Sequence, residues 1–355
     1  RLLNGGVAAV ICNTGNDVQN DYHDFMDNGW MESEVILFHS RFLPKDRKRI
    51  ESLIVNKLGK NGDRPERIVV IATQVVEQSL DIDFDIMVSD VAPVDIMIQR
   101  IGRLHRHSRN RPQGLKKPIL YVNGLQLDSD EPVINKTHAL IYSKSQLIRS
   151  LCVFNNIHYV TLPDDIPGLV ELASSDNINV PESWASTLHD ADASFKMDAV
   201  SEESKAADYL LRKPYGTSTM MGSNDKMGVR DDAGARAAVR DSVNCVSAIA
   251  LVKNPDSSLS EFDNDEEIST SVIPSVKMAR ELSEQKITLP MVLGNKRFND
   301  TISALEDNYI KAWQESYLLA GELIIFFDEN HDCSLCGYKL HYDGRIGLTC
   351  KKENV

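Results

Sequence analysis

Two arginines three residues apart, Arg103 and Arg106, stand in the run Gln99-Arg100-Ile101-Gly102-Arg103-Leu104-His105-Arg106. On a helix that spacing puts both on one face, so two planar, permanently charged guanidinium groups could converge on a single phosphate. The chemistry that needs such cations is phosphoryl transfer, in which charge spreads over the oxygens of the moving group and catalysis is largely electrostatic. Gly102 allows close backbone approach, and Gln99 can orient water or touch a nucleotide. The plainer reading of the same run is a basic amphipathic helix on a solvated face.

A second segment precedes it, Ile71-Ala72-Thr73-Gln74-Val75-Val76-Glu77-Gln78-Ser79-Leu80-Asp81-Ile82-Asp83. Thr73, with Gln74 beside it, falls at a predicted strand end, where a hydroxyl and an amide can hold a nucleic-acid phosphate without reading sequence. Asp81 is placed to touch a ribose or to couple the two segments; alternatively Asp81 and Asp83 cap a turn. Asn13 and Thr14, and then Ser40 and Arg41, also follow predicted strands, where a single-stranded backbone would pass.

Charge is distributed in agreement with this. The chain of 355 residues carries a net charge of −13, yet residues 1–127 hold 17 basic and 16 acidic side chains. No acid lies between Asp95 and Asp128, a stretch containing Arg100, Arg103, Arg106, Arg109, Arg111, Lys116 and Lys117. A local cationic field suits a polyphosphate or a nucleic-acid backbone. Aromatic residues make up only 6% of the chain, too few for an evident stacking platform. Contact with a nucleic acid is therefore expected to be mainly to phosphates, sequence-tolerant and salt-dependent.

The elements that must position these residues read as βα units. Short apolar runs at 7–12, 35–38, 68–72, 86–88 and 119–122 alternate with helical stretches at 17–28, 44–58 and 94–104. That pattern predicts a parallel sheet buried on both faces, with ligand sites at the strands' carboxyl ends. Residues 131–155 read as helical, 186–240 as a linker with weak local structure, and 243–252 as a strand. Further on, 301–319 reads as one helix, and 321–327 with 336–342 as a closing strand pair. The division expected is 1–128, 129–240 and 241–355.

Segments 71–83 and 99–106 resemble motifs V and VI of superfamily 2 helicases, in that order and spacing. Cys12-Asn13-Thr14 and His39-Ser40-Arg41-Phe42 with Arg47 resemble motifs IV and IVa. The wording from Ala72 to Asp85, Ala92-Pro93-Val94-Asp95 and Gln99 to His107 is similar to the CRISPR-associated helicase–nuclease of type I systems. So is the tail, with Trp313, Gly321-Glu322-Leu323, Leu340-His341-Tyr342-Asp343 and Gly347-Leu348. The resemblance implies an α/β fold: a second RecA-like domain, a helical linker and a small α+β C-terminal domain. It implies arginine fingers at Arg103 and Arg106, ATP contacts at Gln99, Gly102 and Asp81, and DNA contacts at Thr73, Gln74, Asn13, Thr14, Ser40 and Arg41. It further implies ATP and Mg2+ held mainly by a first RecA-like domain, and a transition metal in an HD-type nuclease domain, both preceding this region. The partners implied are single-stranded DNA, unwound 3′-to-5′, and the Cascade surveillance complex.

No Gly-Lys-Ser/Thr phosphate loop or HD metal cluster is present in the 355 residues, and the start at Arg1 reads as internal to a longer chain. The run 323–331 imitates a DExH strand but follows the arginine motif, so it reads as a strand ending in a polar turn. Cys333 and Cys336 give half a zinc signature beside His331, His341 and Cys350; the resemblance implies a plain hairpin there, without zinc. Six scattered cysteines suit a reducing cytoplasm, and no apolar run is long enough to span a membrane. The rival readings are another superfamily 2 helicase on DNA or RNA, and a non-enzymatic DNA-binding or docking module.

Overall fold

The computed structural model describes residues 1–77, 80–124, 129–155, 157–207, 245–264, 266–295 and 297–353. Five strands form the first sheet: β1 (Gly6–Ile11), β2 (Val35–Phe38), β3 (Arg67–Ala72), β4 (Ile86–Asp90) and β5 (Ile119–Asn123). Their order is β2-β3-β1-β4-β5, and every pairing is parallel. The central strands β1 and β3 bury nearly every residue, which is why they read as unbroken apolar runs.

Helix α1 (Gly15–Asp27) starts on Thr14, whose hydroxyl accepts from the Asp17 amide at 3.1 Å, an N-cap of the ordinary kind. Helix α2 (Pro44–Leu58) has proline in its first turn and buries Ile50, Ile54 and Leu58, one turn apart, in the sheet's core. Helix α3 runs from Val94 to Ile101 and stops there, not at Leu104 as expected. Leu104 instead bridges Phe84, and His105 turns into the left-handed region at φ 47°.

A helical layer covers α3. It holds α4 (His138–Ile141), α5 (Lys144–Asn155), α6 (Ile166–Ser174) and α7 (Ala185–Ala207). Met97 and Ile98 share one core with Leu147, Ile148, Leu151 and Trp184, so this layer is packed onto the first sheet's flank. Residues 185–207 form a 23-residue helix, which corrects the expected linker over that stretch. Its side chains are mostly exposed, so it lacked the apolar periodicity that marks a packed helix. The rest of that expected linker, 208–240, lies outside the described residues.

The C-terminal part has two small sheets. In the first, β6 (Ser247–Lys253) pairs antiparallel with β7 (Leu259–Ser260) and, beyond α8 (Val276–Ser283), with β8 (Lys286–Thr288). After α9 (Met291–Gly294) and α10 (Phe298–Glu306), β9 (Ile324–Phe327) joins β6 in parallel. The second sheet is the meander β10 (Asp332–Leu335), β11 (Tyr338–Asp343) and β12 (Gly347–Lys352). Two expectations are corrected here. Residues 301–319 are not one helix, because α10 ends at Glu306 and a separate 3-10 turn over Lys311–Glu315 carries Trp313. The strand at 324–327 pairs with β6 instead of with 338–343. Asp328 ends β9 in a polar turn, its Oδ1 accepting from the amides of Asn330 and Asp332, both at 2.9 Å. No helix among the described residues is long and apolar enough to cross a membrane.

Candidate motor site and nucleic-acid path

Beyond α3 the chain has no regular structure, yet the segment is tightly held. The Phe84 amide donates to the Arg103 carbonyl at 2.9 Å, and the His105 amide returns to the Phe84 carbonyl at 3.0 Å. Arg103 donates through Nη2 to the Glu77 carbonyl at 2.9 Å and through Nη1 to the Leu80 carbonyl, while its Nε is buried without a partner. Arg106 reaches Asp81 Oδ1 from Nε at 2.6 Å, with both side chains about half exposed at 43% and 53%. The Asp81 carboxyl is held below the usual range, chiefly by that hydrogen bond. Burial lowers the Arg103 pKa, and the neighbouring Arg106 charge lowers it further. The two guanidinium groups are thus neighbours, although a turn brings them together and not a helix face.

Gln99 is exposed on α3. A Cβ added to Gly102 would meet nothing closer than 3.5 Å, so the chain's own packing does not require glycine there.

The cation-rich stretch is less available than its composition suggested. Arg100 is fully buried, donating to Glu77 Oε1 at 2.7 Å, Ser89 Oγ at 2.8 Å and the Asp90 carbonyl at 3.0 Å. Asp83 and Asp85 are buried as well. Arg64 reaches them at 3.1 and 2.8 Å, Arg109 reaches Asp83 at 3.3 Å, and Arg111 reaches Asp83 at 2.8 Å and also contacts Asp85. Asp83 also accepts from the His107 amide at 3.2 Å. Arg100, Arg109 and Arg111 therefore serve the interior, leaving Arg103, Arg106, Lys116 and Lys117 at least partly open. Asp83 is the centre of an ion network, a role the sequence reading missed; the alternation Asp81-Ile82-Asp83-Phe84-Asp85 leading into β4 was the available signal.

The expected DNA contacts separate into two groups. Asn13 is 2% exposed: its amide donates to Asp90 Oδ2 at 2.9 Å and its Nδ2 to the Val91 carbonyl at 2.8 Å. Gln74 Nε2 donates to the Asn13 carbonyl and the Tyr142 hydroxyl, both at 3.1 Å. These two side chains hold strand ends and the helical layer together, leaving Asn13 almost no open surface and Gln74 half-buried. Thr73 is also buried, with its amide spent on the Phe38 carbonyl at 3.1 Å, so only its hydroxyl is left to offer.

Ser40, by contrast, is exposed, and Arg41 is half-buried. The Arg41 guanidinium donates to Asn16 Oδ1 at 2.6 Å and lies against Gly15, over the amino end of α1 beside Thr14. Near them opens a cleft of about 450 Å³ between the first domain and the C-terminal sheet, lined by Ser40, Arg47, Lys48, Lys286 and Thr288 among others. Arg47 and Lys48 face it together with Glu51, and Lys286 is paired with Glu322 at 2.6 Å; the Arg47 and Lys48 cations with the polar lining suit a sugar–phosphate chain.

Among the described residues, Asp17, Asp90 and His138 are the group near enough to share an ion. His138 Nε2 lies 3.3 Å from Asp17 and 3.6 Å from Asp90, and its hydrogen bond is the chief cause that lowers the Asp17 pKa. The contact fastens α4 to α1. Cys333 sits in β10 and Cys336 at the turn into β11, at φ 50°; neither belongs to such a group.

Two family models fit the chain: the C-terminal part of the CRISPR-associated nuclease/helicase Cas3 over residues 4–109, and the Cas3 C-terminal domain over 240–348. The chain belongs to the Cas3 nuclease/helicase family. A Cas3 nuclease/helicase of Streptococcus thermophilus is 34% identical over 369 aligned residues, which take in 99% of this chain and 39% of that protein. The chain thus spans about two fifths of that relative's length. A solved CRISPR-associated protein matches with a TM-score of 0.84 at 30% identity, covering 99% of this chain and 39% of the other. The ATP complex of T. fusca Cas3 matches at 0.78 and 25%, covering 98% and 39%. The first Cas3 model takes in every residue from Asn13 to Arg106 described above, and the second takes in the C-terminal sheets up to Leu348; the helical layer falls between them.

Proposed function

We propose that this chain is the second half of an ATP-driven motor that moves 3′-to-5′ along single-stranded DNA. In the complete protein it would act beside a nuclease domain and a first RecA-like domain, on DNA opened by the Cascade surveillance complex. The observation that carries the reading is the contrast among the arginines. Arg100, Arg109 and Arg111 are spent inside the domain, whereas Arg106 is held by the half-exposed Asp81 carboxylate and by a long hydrogen bond of 3.5 Å to the Gly102 carbonyl.

The residues of this turn fit a nucleotide's outer phosphates. Arg106 and Arg103 would supply cations, Gly102 room, and Gln99 a polar amide at the rim. Asp81, released when Arg106 turns toward the phosphates, becomes free to accept from a ribose hydroxyl. ATP with Mg2+ supplies the energy when bound; the phosphate cradle and metal ligands belong to the partner domain. Family membership supports the Cascade partnership.

The backbone contacts assigned to this chain are Ser40, Arg41 and Thr14, with Thr73 contributing a hydroxyl and the cleft cations Arg47 and Lys48 beside them. Three cations on phosphates, Arg41, Arg47 and Lys48, predict that single-strand affinity falls roughly 20-fold between 50 and 200 mM salt. Titration of a fluorescent oligonucleotide across that range should show it, and a flat response would remove the phosphate reading. The isolated chain is expected to hydrolyse no ATP with or without DNA, while the complete protein hydrolyses it when DNA is added. DNA-stimulated turnover by the isolated chain would overturn the division of labour.

A further inference from the structure

The turn that carries Ser40 and Arg41 is fixed from far away in the chain. His39 is fully buried. Its Nε2 is 2.9 Å from the Ile346 carbonyl, and its Nδ1 is 3.1 Å from the Arg41 amide. Only the neutral ring with hydrogen on Nε2 satisfies both, donating to the carbonyl and accepting from the amide. Burial, opposed by nothing but that carbonyl, pushes the imidazole pKa down to about 3, so the ring is in this form at neutral pH. It also stacks on Phe42, with centroids 4.6 Å apart.

The hairpin β11–β12 supplies the other restraints. The Leu348 amide donates to the Arg41 carbonyl at 2.9 Å, so Arg41 is held at both backbone polar groups. Gly347, at φ +77°, lets the strands close in: a Cβ there would lie 2.7 Å from His39 Cε1 and 2.9 Å from the Arg41 carbonyl oxygen. Gln19 Nε2 ties α1 to the same hairpin through the carbonyls of Ile346 at 3.1 Å and Leu348 at 3.0 Å. The Tyr342 hydroxyl accepts from the Leu43 amide at 3.1 Å and donates to Asp46 Oδ2 at 2.6 Å. From His39 to Asp46, these backbone and side-chain anchors come from residues 342–348.

We infer that His39 is a positioning residue through which the C-terminal hairpin sets the DNA-facing Ser40-Arg41 turn, so that the second RecA-like domain and the C-terminal sheet grip the strand as one body. The inference rests on the reading of Ser40 and Arg41 as backbone contacts, and it adds how their geometry is fixed. His39 itself touches no DNA. It sets the direction in which Arg41 leaves the backbone, toward Asn16 and Gly15 at the amino end of α1.

The imidazole's two roles can be separated by substitution in the complete protein. His39→Gln keeps an N–H at the reach of Nε2 and loses the acceptor for the Arg41 amide. His39→Asn keeps that acceptor and falls short of Ile346. Both are expected to raise the KM for single-stranded DNA in DNA-stimulated ATP hydrolysis about 10-fold, while kcat at saturating DNA stays within twofold. Amide hydrogen exchange adds a readout: protection at Arg41 falls in His39→Gln and is kept in His39→Asn. Tyr342→Phe, which frees the Leu43 amide without touching His39, should raise the KM about threefold and keeps the test open if the His39 variants do not fold. Arg41→Ala separates the two levels of the argument. If it leaves DNA affinity native, the contact reading fails; if it weakens DNA while His39→Gln, His39→Asn and Tyr342→Phe all bind natively, the positioning inference fails.

Discussion

Arg106→Ala in the complete protein is expected to cut DNA-dependent ATP turnover by about 1,000-fold or more, with single-strand affinity within twofold of native. Fingers that stabilise a transferring phosphoryl group contribute roughly that much or more. No neighbour can stand in for it. Arg103, itself proposed to face the phosphates, is tethered to the Leu80 and Glu77 carbonyls and cannot also fill the place of Arg106, and Arg100 is sealed against Glu77. The affinity should survive because the cations proposed to grip DNA, Arg41, Arg47 and Lys48, lie at another strand end and at the domain junction. Single-turnover hydrolysis and anisotropy titration measure the two quantities separately. Normal unwinding by the variant would remove the finger assignment.

The largest stability effect should come from Asp83→Ala, two residues from a substitution that does almost nothing to the fold. Asp83 is fully buried and shared by Arg64, Arg109 and Arg111. Its loss leaves Arg64 and Arg111 around Asp85 alone and takes from Arg109 the carboxylate it reaches, and breaking a buried ion pair from one side costs about 3–5 kcal/mol. The damage should spread to the finger turn, because Asp83 also receives the His107 amide. Asp81→Ala removes an exposed partner of Arg106 and should leave the unfolding transition near native while impairing ATP turnover. Denaturant unfolding of both variants, followed by hydrogen exchange in β1, β3 and β4, makes the comparison. Equal stability in the two would refute the assignment of Asp83 as the network's centre.

The parallel sheet was legible because strands buried on both faces must be apolar throughout; Val35–Phe38 was read to the residue. The arginine turn was not, because a period-three spacing looks the same whether α3 continues or ends. Nothing local in Leu104 or His105 announced the bridge to Phe84. Cation counts failed for a related reason: composition cannot distinguish Arg111, paired with buried carboxylates, from exposed Lys116. The burial of Asn13 was not legible because its partners, Val91 and Asp90, lie almost eighty residues on. In the C-terminal part, sequence neighbours were assumed to pair. The strand β9 in fact joins β6, from which α8, β8, α9 and α10 separate it.

The docked hairpin has a consequence for how the molecule is made. Gln19 finds its acceptor 329 residues later, and His39 finds its carbonyl 307 residues later. Closing loops of that size is entropically costly and slow. While the ribosome is still working, the first domain must wait with its Arg41 turn untethered, even though its five strands are complete by Asn123. A nascent chain should therefore acquire a folded sheet early and a competent grip late, which delays strand binding until synthesis has passed Leu348.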